Sequence, residues 1–298
     1  MSTVTDRPQA PPETAPAAHS AAPVRVIEPW RSGIRHRMAE EWRYRRMIPY
    51  YGRSFIKRRY RNTWLGWIWL PLRPALDTIG KAFLFGGLLS QAYYGKPAII
   101  FIAFSGAGWL LFQRTSYWGA RSMRVSRSFL KNAHGSWMPK LSAIVFPAGM
   151  DFVFSIAIAF GAVIYYWIAR GTLYLTPQMG IGVLGILMLL LMGLGLGFCL
   201  APFSQFTRDV RFSYVYVMQL WYYVTPIVYA SSSPPAPYQR IITYNPLTAP
   251  VQLTQQGFLG APGPVTQSVV SSVVFLVLIL ALGLRMINRF ERSAVGRL

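Results

Sequence analysis

Acidic residues and cysteines are scarce in this 298-residue chain, which has nine Asp or Glu residues and one Cys. The single cysteine, Cys199, excludes an intramolecular disulfide and a cysteine-based metal site. The three histidines are far apart in the sequence, whereas metal ligands usually come clustered. No apolar segment carries paired carboxylates. We therefore expect no catalytic residues and no metal site.

A nucleotide-binding P-loop is also missing. The nearest match is Gly80-Lys81, but Ala75 and Ala82 stand where that motif needs Gly and Ser or Thr. The Gly-x-Ser-x-Gly and His-Glu-x-x-His motifs of hydrolases do not occur either. The sequence therefore predicts that the chain is not an enzyme and needs no cofactor of its own.

Apolar and basic residues are abundant instead. The chain is 53% hydrophobic with a mean hydropathy of +0.32, yet its formal net charge is +21. Basic residues that flank apolar runs are typical of a multi-pass membrane protein, whereas a nucleic-acid-binding protein gathers them on one soluble face. We predict an all-α integral membrane protein and no nucleic-acid partner.

Six apolar segments indicate six membrane spans, because a spanning helix needs about 20 mostly apolar residues. The first is interrupted by Pro71 and Pro74 and contains ions. With a cytoplasmic N-terminus, most Lys and Arg residues between spans fall on the cytoplasmic side, and only Lys96, Arg170 and Arg240 fall outside. We therefore expect both termini in the cytoplasm. The predicted spans are 68–94, 98–120, 141–169, 177–206, 212–230 and 265–287.

Two regions precede the spans. Residues 1–24 are rich in Pro and Ala and lack the apolar run of a signal peptide, so we expect a disordered tail. Residues 25–62 form a basic cytoplasmic region in which Trp30, Ile34, Met38 and Trp42 recur at helical spacing. This pattern predicts an amphipathic helix on the membrane surface, with docking on a protein partner as the alternative. Residues 63–298 then form the transmembrane domain.

The connection between the fifth and sixth spans, about residues 231–264, is rich in proline. Within it, the apolar piece Leu247 to Leu259 is too short to cross a bilayer. Irregular backbone at membrane depth must be buried in protein or line a wet cavity. We predict that this piece is re-entrant or interfacial.

Ions and small residues inside the predicted spans are candidates for special roles. Arg73, Asp77 and Lys81 are four residues apart and should lie on one helix face, where they can neutralise each other. Asp151 has no partner within one helical turn, so it should face another helix or lie at shallow depth. A small-residue face at Gly193, Gly195, Gly197 and Ala201 favours close packing within one subunit over a dimer contact.

Three motifs follow one another in a fixed order. The first motif is Lys57-Arg58-Arg59-Tyr60, which is followed by Leu65-Gly66-Trp67-Ile68-Trp69. The second is the charged turn Arg208-Asp209-Val210-Arg211, which is followed by Thr225-Pro226-Ile227-Val228-Tyr229. The third is Asn245-Pro246-Leu247 in the Pro-rich connection. Together they resemble the membrane (permease) subunit of bacterial polysaccharide-exporting ABC transporters, the family of O-antigen, capsule and teichoic-acid exporters.

The resemblance implies a homodimer in the bacterial inner membrane that works with two copies of a separate ATPase, which would bind the ATP and Mg²⁺. It also implies that the Pro-rich segment between the fifth and sixth spans forms re-entrant helices near the exit. The substrate would be a lipid-linked polysaccharide carried on polyprenyl pyrophosphate. Its head group would enter beside Arg53, Lys57, Arg58 and Arg61. Aromatic rings suit a passing sugar, and the candidates are Trp64, Trp69, Tyr214, Trp221 and Tyr222. Contact with the ATPase is expected at Ser126, Phe129, Leu130 and His134.

Other functions remain open from the sequence. An ABC efflux permease for small drugs or lipids would have the same architecture. A membrane-embedded glycosyltransferase would need carboxylate or metal clusters, and an ion-coupled carrier would be expected to hold more buried acids than Asp77 and Asp151. The aromatic content and the basic entrance favour the glycan exporter.

Overall fold

The computed structural model describes residues 64–88, 93–129, 138–207 and 209–295. The tail 1–24 and the amphipathic region 25–62 lie outside these residues. The described part is all helical, with no strand. Its eight α-helices are α1 (Trp69–Lys81), α2 (Ala98–Phe129), α3 (Met138–Arg170), α4 (Met179–Phe206), α5 (Asp209–Val224), α6 (Ala236–Tyr244), α7 (Thr248–Leu259) and α8 (Thr266–Val295).

Four of these helices contain stretches long and apolar enough to cross a membrane. They are Ala98–Arg121 in α2, Ile144–Arg170 in α3, Met179–Ser204 in α4 and Thr266–Met286 in α8. These stretches match the second, third, fourth and sixth predicted segments. The integral membrane character predicted from the sequence is thus supported by length and composition among the described residues.

The first and fifth predicted spans are less regular. Helix α1 has 13 residues, runs on through Pro74 and continues as a π-helical stretch, Ala82–Leu88. The 16 residues of α5 extend about 24 Å, short of the roughly 30 Å hydrocarbon core. Both segments therefore remain predictions as spans.

Helix α4 packs on α2, α7 and α8 through its small residues. A Cβ on Gly197 would lie 2.7 Å from the Cα of Gly119 in α2, and one on Gly195 would lie 2.9 Å from the backbone of Ile279 in α8. Such separations leave no room for a side chain, so the backbones touch. The small-residue face packs within one subunit, as predicted.

Helix α7 is almost wholly buried and packs against α2, α4 and α8. One of its buried amides is bonded inside the protein: Gln255 Nε2 donates to Pro226 O at 2.7 Å and to Ser105 Oγ at 2.9 Å. A short helix buried in this way meets the requirement for polar backbone at membrane depth.

Asn245 joins two of the sequence motifs. Its Oδ1 accepts from Trp221 Nε1 at 2.9 Å, and its Nδ2 donates to Thr225 Oγ1 at 2.9 Å. The same Oδ1 accepts from the backbone N–H of Leu247 at 3.2 Å. The Asn-Pro-Leu turn is thereby fixed against the end of α5.

The charged turn before α5 is described only from Asp209 onward. Asp209 begins the helix, where a carboxylate in the first turn interacts favourably with the helix dipole. Arg208 and the side chain of Arg211 lie outside the described part.

Candidate functional site

A polar cavity of about 510 Å³ lies between α1, α2, α3 and α5. Pockets of about 300–1,000 Å³ are typical of ligand sites. Helix α1 supplies most of one wall with Trp69, Leu70, Arg73, Pro74, Asp77, Thr78 and Lys81. The facing walls include Trp109, Gln113, Arg114, Asp151, Ser155, Gln219, Tyr222 and Tyr223.

The wall formed by α1 places its ions at four-residue intervals along one face. Lys81 Nζ donates to Asp77 Oδ2 at 2.6 Å, so the predicted i,i+4 pairing is confirmed for these two residues. Arg73 takes a different partner: its Cζ lies 5.6 Å from the centroid of the Trp69 ring, a cation–π contact.

A second ion pair crosses the cavity between two helices. Arg114 Nε in α2 lies 3.0 Å from Asp151 Oδ2 in α3, and the Asp151 side chain is only 10% exposed. Of the two predictions for Asp151, the one in which it faces another helix is therefore correct. The pair joins α2 to α3 through side chains that line the cavity.

Aromatic rings complete the cavity. Lys81 Nζ lies 4.2 Å from the ring centroid of Tyr222, and Trp109 meets the same ring edge-on at 5.5 Å. The hydroxyl of Tyr222 is buried, and no atom of the described residues bonds to it. A buried polar atom without a protein partner indicates that a ligand or an ordered water completes its bonding.

The predicted pathway aromatics fall into two groups. Trp69 and Tyr222 line the cavity. Trp64 is 99% exposed, Tyr214 Oη donates to Gln113 O at 2.7 Å between α5 and α2, and Trp221 belongs to the Asn245 network. The structure thus brings two of the five together, and a role in transport stays a prediction for all of them.

The entrance and coupling residues cannot be placed in the same way. Arg53, Lys57, Arg58 and Arg61 lie outside the described residues, as do Leu130 and His134. Ser126 and Phe129 belong to the last turns of α2, beyond its apolar stretch, which ends at Arg121. Their roles remain predictions.

Sequence reasoning missed the contribution of α2 to the cavity. Arg114 and Gln113 follow the apolar core of the second predicted span directly, and Arg114 still lies inside that segment. An ion inside a predicted span was the available signal, because such residues mark functional sites by default. Its pairing with Asp151 depends on helix packing, which the sequence does not display.

The side chains of this cavity are suited to binding. Its walls carry three cations and two carboxylates, with the amides of Gln113 and Gln219 and four large aromatic rings. Across the described ranges, no three His, Cys, Asp or Glu side chains are arranged as metal ligands. Amides and carboxylates hydrogen-bond hydroxyl groups, and cations hold oxyanions. The cavity is therefore suited to a polar or anionic ligand.

Comparison with known proteins gives two relatives with the same name. The chain is 24% identical over 196 residues to the O-antigen export system permease protein RfbA of Myxococcus xanthus, which covers 65% of this chain and 72% of that protein. It is 26% identical over 245 residues to the RfbA protein of Klebsiella pneumoniae, which covers 79% of this chain and 88% of that protein. No family model matches the chain. The resemblance drawn from the three motifs is thus confirmed over most of the sequence.

Proposed function

We propose that this chain is the transmembrane subunit of an ABC exporter that moves a lipid-linked polysaccharide across the bacterial cytoplasmic membrane. The observation that carries the proposal is the similarity to two O-antigen export permeases over 65% and 79% of the chain. The apolar helices and the polar cavity between α1, α2, α3 and α5 agree with a transport subunit.

In this proposal the protein has six spans, with α1 and its π-helical continuation as the first and α5 as the fifth. Helices α6 and α7 form the re-entrant segment. The burial of α7 against α2, α4 and α8 supports this arrangement, because a re-entrant helix has to be covered by protein. The unequal distribution of Lys and Arg supports cytoplasmic termini.

The energy for transport would come from a partner. Two copies of the chain would associate with two copies of a cytoplasmic ATPase, which would bind ATP and Mg²⁺. The region from Ser126 to His134 would meet that ATPase. Arg53, Lys57, Arg58 and Arg61 would receive the pyrophosphate of the lipid carrier, since Arg and Lys clusters hold polyanions.

Gene deletion tests the proposal directly. Cells that lack the chain should accumulate lipid-linked glycan on the cytoplasmic side, and plasmid copies of the chain with its ATPase should restore surface glycan. Glycan is measured by immunoblot of surface and intracellular fractions. Unchanged surface glycan in the deletion strain, or export of small drugs without an effect on glycan, would contradict the proposal.

The entrance role is tested by exchanging Arg53, Lys57 and Arg61 for Ala in one variant. The expected result is intracellular glycan–lipid at a normal protein level, because three charges that attract the pyrophosphate are lost. A control variant exchanges Arg285, Arg292 and Arg297 for Ala, which removes equal charge on the proposed cytoplasmic side. Normal export by the entrance variant would refute the role.

A further inference from the structure

We propose that the cavity between α1, α2, α3 and α5 binds an anionic group of the transported glycolipid, with Arg73 as the cation that holds it. This inference rests on the proposed function and adds a ligand site inside the membrane domain. It concerns a place distinct from the basic entrance at residues 53–61. The anion would be a phosphate of the lipid carrier or a carboxylate of an acidic sugar.

The argument begins with the charges in the cavity. Asp77 is paired with Lys81 at 2.6 Å, and Asp151 is paired with Arg114 at 3.0 Å. Both carboxylates of the cavity are thus engaged by a cation. No carboxylate among the described residues lies within ion-pair distance of Arg73. The cavity therefore carries one positive charge more than its own acids neutralise.

The position of Arg73 makes that charge available. The residue is exposed on the cavity wall, and the Trp69 ring lies beside its guanidinium group. A guanidinium stays protonated and presents parallel N–H groups that match a phosphate or a carboxylate. Because Arg73 has no carboxylate partner among the described residues, its guanidinium can pair with a bound anion.

The remaining walls suit a sugar attached to the anion. The cavity volume of about 510 Å³ falls in the range of ligand pockets. Gln113 and Gln219 offer amides for sugar hydroxyls, and Trp69 offers an aromatic face. The Tyr222 hydroxyl adds a buried polar atom that has no partner in the described residues.

A purely structural cluster would behave differently. Charges that serve only to join helices should neutralise one another, as Arg114 and Asp151 do. Removal of Asp77 would then harm such a cluster. In a site for anions, removal of Asp77 has the opposite effect, since it takes away a repulsive charge and frees Lys81. The sign of the Asp77 effect therefore separates the two interpretations.

The test uses the full chain in phosphatidylcholine nanodiscs, with Arg53, Lys57, Arg58 and Arg61 exchanged for Ala so that the entrance does not contribute. Binding of inorganic pyrophosphate, D-glucuronate and neutral D-glucose is measured by equilibrium dialysis. Pyrophosphate represents the lipid linker and glucuronate represents an acidic sugar. We expect saturable binding of one anion, which identifies the source, and weaker binding of glucose.

Three further single exchanges decide the assignment. Arg73→Gln should weaken anion binding roughly tenfold, because one charge-assisted hydrogen-bonding group is lost. Asp77→Asn should strengthen it several-fold. Arg170→Gln is the matched control, since this arginine also lies over a ring, that of Tyr166 at 5.3 Å, and does not line the cavity. The Arg170→Gln exchange should leave anion binding unchanged.

Absence of saturable binding for both anions would overturn the inference, as would equal binding by the Arg73→Gln variant. Weaker binding by Asp77→Asn would contradict its electrostatic basis. A chain that exports glycan but binds neither anion overturns this inference alone. A chain whose deletion leaves surface glycan unchanged overturns the proposed function, whatever the nanodisc experiment shows.

Discussion

Asn245 connects two distant turns through one amide group. It accepts from the Trp221 indole and the Leu247 backbone, and it donates to Thr225, while being only 6% exposed. Hydrogen bonds of this kind are modest in net value, but a buried donor left without a partner is expensive. Loss of the Asn245 side chain is therefore expected to lower stability mainly because buried donors are left without an acceptor, and less because of the net strength of the hydrogen bonds.

We expect Asn245→Ala to lower the stability of the purified protein by about 1–3 kcal/mol, since at least the indole N–H and the Leu247 N–H lose their acceptor. Thermal unfolding in detergent, followed by tryptophan fluorescence, measures the change. Gln239→Ala is the control, because this exposed amide donates only to Pro234 O at 3.0 Å among the described residues. Equal melting temperatures for the two variants would contradict the role of Asn245.

Single residues show where sequence reasoning succeeds and where it stops. The Asp77–Lys81 pair follows from spacing alone, because helical geometry fixes neighbours four residues apart. The Arg114–Asp151 pair joins residues 37 positions apart and depends on how α2 and α3 pack. Spacing alone does not decide between two possible partners. Asp77 lies four residues from both Arg73 and Lys81, and in the structure it pairs with Lys81, while Arg73 contacts the Trp69 ring.

At the scale of elements, α4 depends on small residues to approach its neighbours. Gly197 and Gly119 face each other so closely that a Cβ on either would lie 2.7 Å from the other Cα. Gly283 in α8 approaches Gly195 O in the same manner on another face of α4, where a Cβ would lie 2.5 Å away. Packing of this type replaces the hydrophobic effect, which does not drive helices together within lipid.

Gly197→Ala should destabilise the contact between α2 and α4 by about 1–3 kcal/mol, because the added methyl group meets backbone atoms that cannot move aside. Gly180→Ala in the same helix is the matched control, since nothing lies within 4 Å of the Cβ position there. The yield of monodisperse protein and its melting temperature report the effect. A Gly197→Ala variant as stable as the Gly180→Ala variant would contradict the prediction, because it would show that α2 and α4 can move apart without a loss of stability.

The elements found from the sequence were those with long apolar runs. The second, third, fourth and sixth predicted spans coincide with helices because length and hydropathy alone define them. The first contains Arg73, Asp77 and Lys81, which lower its hydropathy and face the cavity. The fifth predicted span extends to residue 230, whereas α5 ends at Val224, before the Thr225-Pro226 turn that binds Asn245 and Gln255.

On the scale of the whole molecule, burial indicates which helices are central in the bundle, and the distribution of charge indicates how the bundle is oriented. The apolar stretch of α8 is largely uncovered, with 11% of it buried, while that of α2 is 67% buried. A peripheral α8 and a central α2 are expected if lipid or a second copy of the chain surrounds the bundle. The excess of Lys and Arg supports the proposed orientation of this bundle in the membrane.

The proposed orientation predicts opposite labelling of two cysteines. In a Cys199→Ala background, Ser232→Cys should react with a membrane-impermeant maleimide in intact spheroplasts, because Ser232 is exposed in the connection between α5 and α6. Ser126→Cys lies near the end of α2 that the proposal places in the cytoplasm, and it should react only after permeabilisation. The parent chain with Cys199 inside the apolar stretch of α4 should stay unlabelled in both conditions. The reverse pattern would invert the topology. Labelling of both sites from one side would require an even number of crossings between residues 126 and 232, where the proposal has three, and would exclude the six-span arrangement.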